Sequence, residues 1–431
     1  MNQQQPISFE PPRGMRDFYP EEMAWRERVF NAWRQATRLC GFSPYDACVV
    51  ESLELLQRKA GEEVTDQIYN FEDKSGRKLA LRAEMTPTLA RMVAARQGGL
   101  RFPLKWSAIA QCFRYERMTR GRKREHYQWN VDVVGEESVL AEAEVLNAAA
   151  TALRMMGLPD ASWRIHVSSR ALLAELLAGL GFAPESHAAV FLALDKRGKI
   201  PDDAIAALLR DGGLPEEGVP KVFRLMEVSS LDEAEALAGA DSKAVARLRE
   251  LFRLAAIYGF ADNLVFDISV IRGLSYYTGI VFEAFDTERK FRAIFGGGRY
   301  DNLLTSIGGE PTPAVGLGFG DVVVQEVMKE VLGDCGRQRE DRVAVGFMTP
   351  AERDAAVSLA ARLRSEGRSV DLSLSAQKPK AFFKAAGEGT ASHAVFIGPD
   401  DVASGSARLK NLETREESAV ALAPAQTNTA P

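Results

Sequence analysis

The sequence predicts an α+β fold over its first three quarters and a small α/β domain at its C-terminal end. Three observations carry this. Period-two apolar runs come in pairs joined by polar turns, at residues 67–84 and again at 104–117 with 125–135. A long Ala/Leu/Glu-rich stretch, about 171–258, interrupts the strands with helical patterning. Beyond a polar, charged segment at 333–341, strand and helix patterns alternate, which implies a largely parallel sheet.

Taken in order, residues 20–41 read as an amphipathic helix (Trp25, Val29, Phe30, Trp33, Ala36) ended by Gly41. Residues 67–84 read as two strands around the turn Asp73-Lys74-Ser75-Gly76. A helix follows at 86–97 with Pro87 in its first turn. Strands at 104–117 and 125–135 flank a basic loop, and 138–156 is helical. Strand patterns return at 263–271 and 278–285, so Tyr276 is expected to face away from Tyr277, toward the core. A glycine cluster, Gly296-Gly297-Gly298, precedes Arg299-Tyr300-Asp301, and a second Gly-rich stretch, 316–320, opens a helix at 321–331. The expected division is a first domain at 1–332, a linker at 333–341, a second domain at 342–424 and a disordered tail at 425–431. Within the second domain, strands are expected at 342–347, 370–374 and 394–397 and helices at 351–365 and 380–386. There is no internal repeat.

Composition narrows the function classes. A formal net charge of -5 over 431 residues rules out a chain that binds polyanions with its whole surface, so any nucleic-acid contact must be local. The cysteines, Cys40, Cys48, Cys112 and Cys335, form no C-x-x-C pair, and only four histidines accompany them. This argues against a structural zinc site and a disulfide framework, and no protein-held metal is expected. The N-terminal residues lack the apolar core of a signal peptide, and no apolar run reaches the about 18 residues that span a bilayer. A reducing cytoplasm is the expected setting.

One segment concentrates chemistry. Arg114, Arg117, Arg120, Arg122, Lys123 and Arg124 place six cations within eleven residues. On a strand Arg114 and Glu116 share a face, and a planar guanidinium suits phosphate. The other reading of such a run is a solvated hairpin loop.

The wording Phe113-Arg114-Tyr115-Glu116-Arg117, then Arg120-Gly121-Arg122, then Glu125-His126-Tyr127-Gln128 resembles motif 2 of class II aminoacyl-tRNA synthetases, in its histidine-specific form. Ile271-Arg272-Gly273-Leu274-Ser275-Tyr276-Tyr277 is similar to the R-G-L-D-Y-Y signature of histidyl-tRNA synthetases. Gly297-Gly298-Arg299-Tyr300-Asp301, Leu81-Arg82-Ala83-Glu84-Met85-Thr86 and Arg13-Gly14-Met15-Arg16-Asp17 match further pieces in the family's order. The likeness covers nearly the whole chain and is greatest to plant-organelle-type members.

The resemblance implies a class II catalytic core with a mixed, mainly antiparallel sheet, a helical insertion over the tRNA acceptor arm, and a C-terminal anticodon-binding domain. It implies histidine activation by ATP with Mg2+, then transfer to the 3′ end of histidine tRNA, by a homodimer. Arg114 would bind the α-phosphate, Glu116 the adenine amino group and Arg122 the outer phosphates. Arg272 would meet the α-phosphate and the histidine carboxylate. Glu84, Thr86 and Gln128 would take the amino group, and Asp132 with Tyr277 the two sides of the imidazole, Tyr300 lining the pocket. For the two tyrosines the alternative is core packing with a bonded hydroxyl. His126 stands where relatives place an adenine-stacking aromatic; the alternative is a structural histidine. Arg120, Lys123, Lys378 and Lys380 are candidate tRNA contacts, with Lys384 and Lys410 beside them; solvated lysines are the alternative.

Three positions depart from the family pattern. Cys48 replaces the motif 1 proline, and Ser275 replaces the signature's aspartate. In motif 3 the arginine's place falls at Val323. That last departure leaves a rival reading: a non-catalytic, synthetase-like regulatory subunit of ATP phosphoribosyltransferase.

Overall fold

Among the described residues, eight strands build the central sheet: β1 (Ser43–Pro44), β2 (Leu104–Phe113), β3 (Glu125–Val134), β4 (Trp163–Ser169), β5 (Leu264–Phe266), β6 (Ile280–Asp286), β7 (Phe295–Arg299) and β8 (Ala314–Gly320). Their order across the sheet is β1-β2-β3-β8-β7-β6-β4-β5. The six inner strands pair antiparallel, and only the edge pairs β1–β2 and β4–β5 are parallel. The computed structural model describes residues 8–60, 67–119, 121–194, 196, 200–271, 276–333 and 340–422. The chain divides into two compact units, Met1–Gly333 and Asp334–Pro431.

The hairpin β2–β3 runs in unbroken register from Leu104↔Val134 to Phe113↔Glu125. Strand alternation sends Trp129, Val131 and Val133 into the main core and leaves Gln128 and Asp132 to the opposite face. The core side is covered by the helices Pro20–Leu39, Leu140–Met155 and Asp321–Leu332. Trp33 lies 6.1 Å from Trp129 and 5.5 Å from Phe319, ring centre to ring centre, and all three are fully buried. Rings of this size contribute much of the burial that holds helix to sheet.

The two glycine clusters are strands at the centre of the sheet, and the second leads, as expected, straight into the helix Asp321–Leu332. Glycine is depleted in strands because it leaves nothing to pack, which is why the pattern hid them. Here the missing side chains are a requirement. A Cβ on Gly316 would stand 1.9 Å from Asp132 Oδ1, and one on Gly318 2.0 Å from Gln128 Nε2.

Among the described residues, six helices from Arg170–Gly179 to Lys243–Tyr258 form the helical stretch. Ser169, Ser230 and Ser242 cap three of them by accepting from backbone N–H groups, and Gly259 ends the last with a φ of 76°. Its apolar faces (Leu172, Leu248, Leu251) join the main core. The strand expected at 263–271 stops at Phe266, because Asp267 turns the chain: its Oδ1 accepts from Ser269 N and Oγ.

A three-stranded sheet (Val50–Ser52, Lys78–Leu81, Asn70–Glu72) sits beside β2. Arg82, 3% exposed, ties the two together: its Nε donates to Gln111 O and its Nη1 to Ala47 O, both at 2.9 Å.

In the second unit the strands run Ser369–Leu372, Glu340–Phe347, Ala391–Ile397, Ser406–Asn411, Glu417–Ala421 across the sheet. The first three are parallel and the last two antiparallel, so the sheet is mixed rather than largely parallel. The last hairpin is mostly solvent-facing and carries Arg408, Lys410 and Glu417, so alternation was hard to see there. The expected tail lies outside the described residues, as does most of the expected linker.

Arg299 of the G-G-R-Y-D segment is a structural residue. Its Nε and Nη2 donate to Glu142 at 2.7 and 2.6 Å, and its Nη1 and Nη2 to the carbonyls of Glu136 and Ser138. Both partners are buried. Removing one partner of a buried pair strands the other charge. Glu142→Ala is therefore expected to destabilise the first unit by about 3–5 kcal/mol, read as a drop in the urea midpoint; a change of under about 1 kcal/mol would show the pair to be dispensable.

Candidate active site

A cleft of about 810 Å³ opens on the face of the sheet opposite the main core. The β2–β3 hairpin contributes Arg114, Glu116, Arg122, Lys123, His126 and Gln128 to its lining. Glu84 and Thr86 enter from the start of the helix Thr86–Arg96, and Tyr277 and Tyr300 close the far end. Asp132 is reached through Tyr300, whose Oη donates to Asp132 Oδ1 at 2.5 Å. Arg120 and Arg272 lie outside the described residues. Lys378 and Lys380, both exposed, belong to the second unit at the start of the helix Pro379–Glu388.

The two ends differ in chemistry. One is phenolic and buried. Asp132 is 1% exposed, Tyr300 3% and Tyr277 7%. Burial first, and then the Asp132 carboxylate, push the Tyr300 phenol well above its usual range, so it remains a donor. Tyr276 packs against the smaller apolar cluster that holds Tyr277 and Tyr300, and it meets the cleft as well. Residues 276–279 leave strand geometry, and Tyr276 lines the cleft with its ring 4.6 Å from that of Tyr277 and 6.0 Å from that of Tyr300. Tyr45 also stands here, against Trp106 at 5.6 Å, and its phenol too is pushed well up by burial and then by Asp132.

The other end is cationic. Arg114 Nε donates to Ala83 O at 3.0 Å, which fixes the plane of its guanidinium. Arg122 Nη1 is ion-paired with Glu116, so two residues read as separate ligands hold each other. His126 Nε2 donates to Gln128 Oε1 at 3.4 Å. Burial first, and then Arg114, hold the His126 ring down at about 3, so it is neutral at any physiological pH.

The segment Arg13–Asp17 props this end from outside. Arg124 N donates to Gly14 O at 3.0 Å, and the Arg124 side chain lies where a Cβ on Gly14 would sit, 2.7 Å away. Arg16 Nη2 pairs with the fully buried Asp321 at 3.0 Å, and Asp321 Oδ1 accepts from Tyr127 N at 2.9 Å. Burial outweighs these partners and raises the Asp321 carboxyl.

Sequence reasoning missed Tyr45, Glu283, Phe285 and Arg292. Alternation along β6 could have placed Glu283 and Phe285 together on the cleft face. Tyr45 and Arg292 sit in short, unpatterned segments that gave no signal.

The family model described as histidyl-tRNA synthetase matches residues 14–320. The chain belongs to the histidyl-tRNA synthetase family. The model for an anticodon binding domain matches residues 342–426 of this synthetase-family chain. A chloroplastic/mitochondrial histidine–tRNA ligase of Arabidopsis thaliana is 43% identical over 418 residues, 96% of this chain and 86% of that protein. A histidine–tRNA ligase of Opitutus terrae is 38% identical over 421 residues, 96% of each chain. Among solved structures, a histidyl-tRNA synthetase from Nostoc sp. PCC 7120 shares the fold at a TM-score of 0.80 and 23% identity, covering 96% of this chain and 97% of that one. A Bacillus halodurans protein described as an ATP phosphoribosyltransferase regulatory subunit/histidyl-tRNA synthetase superposes at 0.75 with 22% identity, covering 91% of this chain and 99% of that one.

The neutral His126 has a cost toward acid. Its native value lies below the unfolded one of about 6.5, so below that pH the unfolded chain takes up a proton that the native site refuses. Stability should fall between about pH 6.5 and 3, by up to about 1.4 kcal/mol per pH unit from this group. Urea midpoints of wild type and His126→Asn at pH 7.5, 6.0 and 5.0 should converge toward acid; parallel pH profiles would remove the claim.

Proposed function

We propose that this chain is a histidine–tRNA ligase: it activates histidine with ATP to histidyl-adenylate and transfers it to the 3′ end of histidine tRNA. The observation that carries the reading is the buried Asp132–Tyr300 pair at one end of a cleft whose other end is built from Arg114 and Arg122. A neutral imidazole presents one donor and one acceptor. Asp132 accepts from its N–H, and the phenol of Tyr277 donates to its other nitrogen. Glu84, Thr86 and Gln128 take the amino group.

ATP lies along the cationic end, and the volume and donor set suit it. Arg114 meets the α-phosphate and Arg122 the outer phosphates. Glu116 accepts from the adenine amino group, and neutral His126 stacks on the base. Binding therefore exchanges the Glu116–Arg122 ion pair for contacts with opposite ends of one ligand. The histidine carboxylate attacks the α-phosphate in line, with Arg114 and Arg272 stabilising charge as it develops; no protein base is required. A magnesium ion bound with ATP would supply the charge that neutralises the leaving pyrophosphate. Glu84, Glu116 and Glu283 are the carboxylates in the cleft, and among the described residues no three His, Cys, Asp or Glu side chains group into a protein-only site. That set fits a metal held mainly by phosphate.

Lys123, exposed at the cleft, and Arg120 are proposed to meet the acceptor end of the tRNA, and Lys378 and Lys380 the anticodon loop. The proposed layout is a catalytic domain at 1–332, a linker at 333–341 and an anticodon-binding domain at 342–424. A homodimer is proposed through the three-stranded sheet, where Val49, Val50 and Phe71 stand exposed. The cytoplasm is the proposed compartment, in keeping with free Cys40, Cys48 and Cys112. Among the described residues no helix is long and apolar enough to cross a membrane.

Histidine-dependent ATP–pyrophosphate exchange tests the reading, with the other amino acids as controls. Exchange with histidine alone is expected. Tyr300→Phe should raise the histidine KM about 10–100-fold, the cost of a hydrogen bond to a charged group. No exchange from folded, dimeric protein would transfer the assignment to the regulatory-subunit reading, which the valine at position 323 favours.

A further inference from the structure

Three basic side chains follow β6 in the hairpin to β7, and two have anionic partners. Arg289 Nη2 pairs with Asp267 Oδ2 at 3.1 Å, its guanidinium over the Phe285 ring. Lys290 Nζ pairs with Glu288 at 2.7 Å and Glu330 at 2.9 Å. Arg292 is the exception. Among the described residues it has no ion pair or hydrogen bond, and it is exposed. Unpaired arginines usually lie out in solvent. This one lines the cleft instead.

Its stem passes near Gly121, in the basic loop, which has a φ of 79°. A Cβ on Gly121 would find Val323 Cγ2 at 3.4 Å and Arg292 Cδ and Cγ at 3.8 and 3.9 Å. Val323 and Arg292 therefore flank the same glycine from two different elements, the helix Asp321–Leu332 and the β6–β7 hairpin. Burial lowers the Arg122 guanidinium, Glu116 opposes this, and Arg292 and Arg114 add to the lowering. Arg292 and Arg114 thus both lie close enough to Arg122 to act on it, and Glu116 is the carboxylate paired with Arg122. Such an excess of positive charge is costly unless an anion comes to offset it.

We propose that Arg292 binds the outer phosphates of ATP, supplying from the β6–β7 hairpin the cation that Val323 does not supply from the following helix. This rests on the histidine–tRNA ligase reading. The guanidinium acts by positioning: together with Arg122 it holds the β- and γ-phosphates, so that the leaving pyrophosphate lies in line with the attacking carboxylate.

The test is ATP–pyrophosphate exchange on the full-length protein. Wild type must first show histidine-dependent exchange; its absence would fail the function and leave the inference without a reaction. Given exchange, Arg292→Ala should raise the ATP KM about 10–100-fold, as loss of a charge-assisted contact does. The histidine KM and the urea midpoint should stay near wild type. Arg292→Lys should recover part of the loss, and Val323→Arg in the Arg292→Ala background should recover more. An unchanged ATP KM in Arg292→Ala overturns the proposal, as does a rise confined to the tRNA KM in aminoacylation. A loss that neither Arg292→Lys nor Val323→Arg reverses would assign Arg292 a structural role and also overturn it.

Discussion

Asp132 and Gln128 lie flat across the strand beside them because that strand presents hydrogens where side chains would be. Gly316 and Gly318 leave the floor of the cleft open, and a single methyl at either would collide with a carboxylate or an amide nearly at bonding distance. Much of the site follows from this clearance. Asp132 can meet the Tyr300 hydroxyl only while it has room, and Gln128 can reach His126 only from the same flat position. The cost is borne by the opposite face, where Leu317, Phe319, Trp129 and Trp33 supply the side-chain packing that the glycines cannot, beside the backbone pairing on both sides of the strand.

Burial sets the two ends of the cleft apart. Phenols kept protonated surround a carboxylate at one end, and fixed guanidiniums surround a neutral imidazole at the other. Of these groups only His126 has an ordinary value near neutrality, and its surroundings move it well away. The cleft's charge is thereby insulated from ordinary changes in pH.

The sequence made the elements with strong periodicity legible. The β2–β3 hairpin and the helix Pro20–Leu39 declare themselves by alternation and by an apolar stripe, and the stretch from Arg170 to Tyr258 by its composition. The site residues on that hairpin were legible because motif and strand period agree. What stayed hidden had no side-chain pattern to read. β7 and β8 are written largely in glycine, and Tyr276 leaves the strand that alternation assigned to it. Arg292 lies far along the chain from the loop it faces, and only the folded sheet brings it to Gly121. The arginine of G-G-R-Y-D shows the converse: a motif can point to a site while one of its residues serves the core, as Arg299 does with Glu142.

The pairing of Arg16 with Asp321 has a temporal side. Arg16 is synthesised long before Asp321, whose carboxylate arrives only near the end of the first unit. Until then Asp321 is not there to receive Arg16 or to hold Tyr127 N at the base of the basic loop. Contacts of such long sequence separation form late and slow the folding of the unit that contains them. A growing chain therefore makes its cationic loop before it can brace it, and the cationic end of the cleft gains its final geometry only when nearly all of that unit has been made.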